Sequence, residues 1–160
     1  MRLLTTATAL LCSGLLASEA RADSHPQCTL VDAPIVTTFF YDGCDSPVQI
    51  CTQGTVRIGR EVATTRFRAL TITPGNSPDD LLYTGELVLT LRDGTVTLLD
   101  YGVLHSTSGA FFELEKTSSG TGKWKRPLGL LVSQGTATAT GFSGKLAGEL
   151  CRVDEGHRGR

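Results

Sequence analysis

The chain has 160 residues, 15 Lys and Arg against 16 Asp and Glu, and a net charge of −1. That balance excludes the electrostatic steering on which nucleic-acid and acidic-membrane binders depend, so no nucleic-acid partner is expected. The chain's length, 160 − 22 = 138 residues once the leader at 1–22 is removed, is enough for one domain with a real core but not for two.

The first residues read as a targeting segment. Arg2 supplies a positive start, residues 3–16 an apolar run, and Ala20-Arg21-Ala22 a small-x-small cleavage site, so residues 1–22 are a predicted signal peptide. The run is too short for a membrane span, and no later stretch is apolar for about 20 residues, so no transmembrane segment is expected. Cys12 follows Leu11, where a lipoprotein signal needs a small residue. The mature chain is therefore expected outside the cytoplasm, extracellular or periplasmic, with a barrel domain over 23–152 and a polar, disordered tail over 153–160.

The strands follow in order. Residues 29–41 form the first, with Pro34 marking an edge or a bulge. Residues 52–59 and 62–73 pair about a turn at Arg60-Glu61 that sets Ile58 opposite Ala63 and Gly54 opposite Phe67. Arg57, Arg66 and Arg68 then share the other face, which reads as solvated, with an anionic-glycan or lipid-headgroup site as the sharper alternative. Residues 74–80 form a turn-rich loop, a candidate mouth, and Asn76-Ser77-Pro78 is no glycosylation acceptor because proline follows. Residues 82–92 and 95–104 join at Asp93-Gly94, which places Leu87 beside Asp100 and Gly85 opposite Gly102. The turn at 106–109 sets His105 opposite Ala110, Asp100 opposite Glu115, and Gly102 opposite Glu113. Residues 118–122 are a turn cluster. Residues 128–140 and 142–151 close the series about Thr140-Gly141, pairing Ala137 with Gly144 and Gly135 with Leu146. Trp124, set among Lys123, Lys125 and Arg126, reads as a cap on the barrel's end, or else as a surface anchor.

At Ser119-Gly120-Thr121-Gly122-Lys123-Trp124, followed by Gly129, the sequence resembles the G-G-T-G-K-F segment of dirigent proteins and allene oxide cyclases. Gly141-Phe142-Ser143-Gly144 with Gly148-Glu149 is similar to the closing strand of small secreted bacterial proteins in the same barrel superfamily. The resemblance covers mainly residues 117–151. It implies an all-β fold, a single antiparallel up-and-down barrel of about eight calycin-like strands with a lumen open at one end. No position matches the catalytic residues of that group, so no activity is implied.

Once Cys12 leaves with the leader, Cys28, Cys44, Cys51 and Cys151 remain, and four cysteines allow three pairings. In an even-stranded meander the start of the first strand and the end of the last meet at one rim, which predicts Cys28–Cys151; Cys44 and Cys51 flank the first connection and pair at the other rim. There is no CxxC pair and His25, His105 and His157 are scattered, so neither a metal nor a cofactor is expected. A phosphate loop at Gly120-Thr121-Gly122-Lys123 fails, since Trp124 stands where Ser or Thr is needed, and Gly141–Lys145 lacks the second glycine of a hydrolase elbow.

Two chemical readings follow. Phe67, Leu87, Gly102, Gly135, Ala137, Phe142 and Gly144 are candidates to line a lumen that binds a small apolar or aromatic molecule, because small residues opposite leucines leave either a cavity or a flattened barrel. Asp100, Glu113 and Glu115 are candidate catalytic acids on the same wall, since carboxylates crowded at low dielectric cannot all ionise, giving a neutral acid beside a base. That suits a cyclase- or isomerase-like enzyme confining a reactive substrate. The bland alternative turns Tyr101, Val103, Phe112 and Leu114 inward and the acids to water, or leaves an acid buried against backbone donors or Arg66. An envelope or matrix protein without ligand is the third class, and homo-oligomerisation stays open.

Overall fold

The computed structural model describes residues 25–153; the leader over 1–22 and the tail beyond Val153 lie outside the described residues. Eight antiparallel strands run in chain order around a closed barrel: β1 (Pro26–Phe39), β2 (Cys51–Ile58), β3 (Glu61–Pro74), β4 (Asp80–Leu91), β5 (Gly94–His105), β6 (Ala110–Gly120), β7 (Pro127–Ala137) and β8 (Gly141–Val153). Burial alternates along each strand as the pleat requires; on β1, Val31, Ala33, Ile35 and Thr37 face in while Asp32, Pro34, Val36 and Thr38 face out.

The seam is the longest pairing in the wall. β1 meets β8 from Pro26 opposite Val153 to Thr38 opposite Gly141, so Val153 is the last rung of the barrel rather than the start of the tail. β1 meets β2 only from Ile35 to Phe39. Pro34 therefore makes no bulge; it sits one residue before β2 arrives, where its missing N–H costs no ladder bond.

Three hairpin registers differ from expectation by two residues. Ile58 faces Glu61 and Val56 faces Ala63 because the turn is Gly59-Arg60, with Gly59 at φ 59°. Leu91 faces Gly94 across Arg92-Asp93, which puts Leu87 beside Leu98, Gly85 beside Asp100 and Tyr83 beside Gly102. Gly94 opens β5 because a Cβ there would lie 2.0 Å from the carbonyl oxygen of Thr121. The last turn spans residues 138–140, so Ala137 faces Phe142 and Gly135 faces Gly144. An even shift keeps every side chain on its expected face. The β5–β6 register is as expected, Asp100 opposite Glu115 and Gly102 opposite Glu113.

The lumen is divided along its axis. Towards the rim that holds the termini it is solid hydrocarbon: Leu89, Leu98, Leu131, Leu146 and Leu150 are wholly buried, and Trp124, on a 3-10 turn (Gly122–Trp124), plugs that end. The turn is pinned to the β4–β5 hairpin by Lys123, whose amide donates to the Asp93 carbonyl at 2.8 Å and whose Nζ pairs with Asp93 Oδ2 at 2.7 Å. Trp124 is thus the cap. The opposite rim is braced by the loop before β2, where buried Ser46 Oγ donates to the Ala69 carbonyl at 2.6 Å and accepts from the amides of Val48 and Ile50. Arg66 holds the Gly43 carbonyl and stacks on Phe40, while Arg68 pairs with Asp45 and Glu86. Both arginines act on the outer surface as loop ties.

Both disulfides pair as the meander requires. Cys28 bonds Cys151 across the seam with Cα atoms 3.9 Å apart, and Cys44 bonds Cys51 at the other rim, 5.6 Å apart. On the chain-entropy account the long bridge contributes about 4 to 5 kcal/mol and the short one roughly 2 to 3. The Cys28→Ser, Cys151→Ser protein is therefore expected to melt and aggregate below the Cys44→Ser, Cys51→Ser protein in a light-scattering temperature ramp, because it alone frees two strand edges. The reverse order would contradict the seam's role.

Candidate functional site

Four neighbouring strands bring the site together in two adjacent rungs. Gly85, Asp100, Glu115 and Leu131 form one rung from β4 to β7; Tyr83, Gly102, Glu113 and Ser133 form the next. All face the lumen. The two glycines leave room for rings: a Cβ on Gly85 would meet Phe67 at 2.1 Å, and one on Gly102 would meet the Tyr83 ring at 2.2 Å. Phe67 and Tyr83 consequently lie across the wall, edge to face at 6.4 Å.

The acids converge. Oxygens of Asp100, Glu113 and Glu115 lie within 4.8 Å of one another, and Asp100 and Glu115 are each only 1% exposed. Tyr83 donates its hydroxyl to Glu113 Oε1 at 2.6 Å, and Ser133 donates to Glu115 Oε1 at 2.7 Å. Among the described residues Asp100 Oδ1 and Glu115 Oε2 have no hydrogen-bond partner, nor do the buried hydroxyls of Thr37 and Thr65. Arg66 does not reach them.

Burial is the largest influence on every ionisation here. It pushes Glu115 up to about 8, reinforced by the charge of Glu113 and opposed by the Ser133 hydrogen bond. Asp100 is held well above the usual carboxyl range by burial and then by Glu115 and Glu113. Glu113 is raised by burial, with the Tyr83 hydrogen bond working the other way. The Tyr83 hydroxyl is driven far upward by burial and by Glu113, so it stays a donor. Three carboxyls pushed toward their neutral forms and a phenol thus share one enclosure, where a carboxyl that holds its proton can act as a donor.

Above the acids the lumen is closed by phenyl rings. Phe142 packs edge to face on Phe39 at 5.6 Å and on Phe111 at 5.3 Å. The cavity they cover is small, about 40 Å³, bordered by Ile35, Thr37, Phe67, Leu87, Phe111, Phe142, Ser133 and the three acids. Of the expected lumen residues, Phe67, Leu87 and Phe142 border it; Gly102, Gly135, Ala137 and Gly144 do not. Gly135 and Gly144 face each other, and a Cβ on either would strike the neighbouring strand's backbone, so they permit close strand approach rather than open volume. Of the two outcomes expected of the small residues, a cavity or a flattened barrel, close strand approach at Gly135 and Gly144 leaves no large cavity behind them.

The competing inward face does not form. Tyr101, Phe112 and Leu114 are 55%, 47% and 39% exposed on the outer wall, where Tyr101, Val103 and Phe112 border a shallow groove of about 390 Å³. Sequence reasoning passed over Tyr83, Thr37 and Phe111. Tyr83 and Phe111 lie an even number of residues from residues assigned inward, so face parity was the available signal; on the first strand no residue carries an assigned face, and Thr37 had none.

The class defined by fold and site is a closed eight-stranded antiparallel barrel with an acid cluster in its lumen. No protein-family model matches the chain, and no curated protein does. Among solved structures the chain is similar to the Diels Alderase AbmU from Streptomyces koyangensis, 17% identical over 88% of this chain and 75% of that one, with a TM-score of 0.39. At that level the likeness bears on neither activity nor ligand.

The raised acids set a pH dependence. Glu115 lies at about 8 in the barrel against an ordinary 4.5, so between those values the folded state holds a proton that the unfolded chain releases. Stability present at low pH is lost as pH rises. In metal-free buffer the thermal midpoint should fall from pH 5 to pH 8.5, by roughly 5 °C or more, and Glu115→Gln should reduce the fall, leaving the part that Asp100 contributes. A midpoint that is flat or rising over that range would contradict the burial of the cluster.

Proposed function

We propose that the protein is a secreted barrel that holds one small organic molecule at the phenyl-covered end of its lumen. The ligand's apolar or aromatic body lies against Phe67, Phe111 and Phe142, and its polar end meets Asp100, Glu113 and Glu115. The observation that carries this reading is the convergence of three inward carboxyls and the Tyr83 hydroxyl beneath edge-to-face phenyl rings. Secretion is supported by two disulfides, which belong to an oxidising compartment. The allene oxide cyclase and dirigent superfamily, in its small secreted bacterial branch, is the proposed kinship. A cavity of 40 Å³ admits only a small group, so uptake requires a ring to swing aside, and of the three phenyl rings that border it Phe142 is the half-buried one.

A second reading rests on Glu115. A carboxyl pushed up to about 8 beside two other buried carboxyls suits general acid–base chemistry, and a barrel that confines a reactive substrate against it would act as a cyclase or isomerase. Both readings share the gate. N-phenyl-1-naphthylamine, a neutral fluorescent probe, should bind with enhanced emission, at least threefold more strongly in Phe142→Ala and more weakly in Leu87→Phe, which fills the cavity. Equal emission from all three proteins would place the probe outside the lumen and remove the lumenal reading.

A further inference from the structure

We propose that Asp100, Glu113 and Glu115 together bind one divalent hard cation of calcium type inside the barrel. The inference rests on the reading that the acid cluster is the functional centre, and it names the ion that centre takes. Two oxygens on opposite sides of a calcium ion, each about 2.4 Å from it, stand about 4.8 Å apart. The three carboxyl groups meet that limit, each offering one oxygen within 4.8 Å of the others.

A second observation comes from another part of the wall. Thr37, on β1, is only 9% exposed, borders the same cavity, and has a hydroxyl without a partner. Its oxygen is a fourth hard ligand, delivered by a strand that contributes none of the acids. Among the described residues no lysine, arginine or histidine borders this cavity, so none of them supplies the opposing charge there. The hydrogen bonds already present are those of an outer layer: Tyr83 and Ser133 each hold one oxygen of Glu113 and Glu115, leaving Glu115 Oε2 and Asp100 Oδ1 open.

The donor set chooses the ion. All the ligands are oxygens, which favours calcium, magnesium or manganese over zinc or copper. Magnesium demands short octahedral bonds and keeps its waters, whereas about 40 Å³ holds one ion with at most one or two of them. The other grouping of metal-binding residue types, Cys28, Glu149 and Cys151, offers no thiolate because its cysteines are bonded to each other.

The full secreted chain, stripped with chelator, should be titrated with terbium while exciting tyrosine, since Tyr83 touches Glu113. One terbium per chain should give sensitised emission, displaced by calcium, and calcium alone should raise the thermal midpoint at pH 8. Glu115→Gln and Asp100→Asn should each weaken binding at least tenfold while melting higher than the metal-free parent, which shows that they fold; the exposed Glu149→Gln should bind as the parent does. The proposal is overturned if millimolar calcium leaves the parent's midpoint unchanged, or if Glu115→Gln and Asp100→Asn bind as tightly as the parent. Naphthylamine uptake that persists in chelator would then leave the organic-ligand reading standing by itself.

Discussion

Closure of the sheet through β1 and β8 is the constraint on which the rest depends. Thirteen consecutive rungs, from Pro26 opposite Val153 to Thr38 opposite Gly141, remove both edges and turn one face of every strand into an interior. With the inside defined, a period of two decides which side chains enter it, and no strand can turn its acids outward without also expelling its leucines. On β5 the same alternation that buries Val96 and Leu98 buries Asp100; on β6 the alternation that buries Phe111 carries Glu113 and Glu115 with it. The disulfide between Cys28 and Cys151 locks this seam near the chain termini.

The interior is then asymmetric along its axis. One half is leucine sealed by Trp124, and it accounts for the cohesion of the barrel. The other half carries the polar burden: Asp100, Glu115, Ser133, Thr37 and Thr65, with Tyr83 and Glu113 beside them. Unpaired buried carboxyl oxygens cost stability, so this half is maintained by the hydrocarbon beneath it rather than by its own contacts. These unpaired acids lie together at one end of the lumen, beneath the rings of Phe111 and Phe142. The outer wall supplies the remaining ties, with Arg66 and Arg68 fastening the loop before β2 to the barrel.

Much of this was legible in the sequence because it depends on parity and turn chemistry. The eight strands, both disulfides and the inward setting of the acids follow from alternation and from the order of the hairpins. Asp100 opposite Glu115 was read correctly since the turn at 106–109 has the length it suggested. Register elsewhere slipped by two because Gly59 and Gly94 serve different positions of their turns from those expected, Gly94 being fixed by the Thr121 carbonyl, a contact distant in sequence. The volume of the lumen was not legible. Gly85 and Gly102 look like vacancies in a one-dimensional reading, yet rings from β3 and β4 occupy them, and Gly135 and Gly144 spend their smallness on strand approach. Bulges between Ala69 and Thr71 and between Thr97 and Leu98 left no signal that alternation could detect.

The central claim is that three carboxyl groups share one enclosure and cannot all carry charge. Carbon-13 NMR of the side-chain carboxyls, in metal-free protein labelled at aspartate and glutamate, observes it most directly. At pH 6 the Glu115 resonance should have the shift of a neutral carboxylic acid and move to its ionised position only near pH 8, while Asp100 should titrate above the usual carboxyl range. Titration of Asp100, Glu113 and Glu115 together at the ordinary carboxyl values near 4 would contradict it.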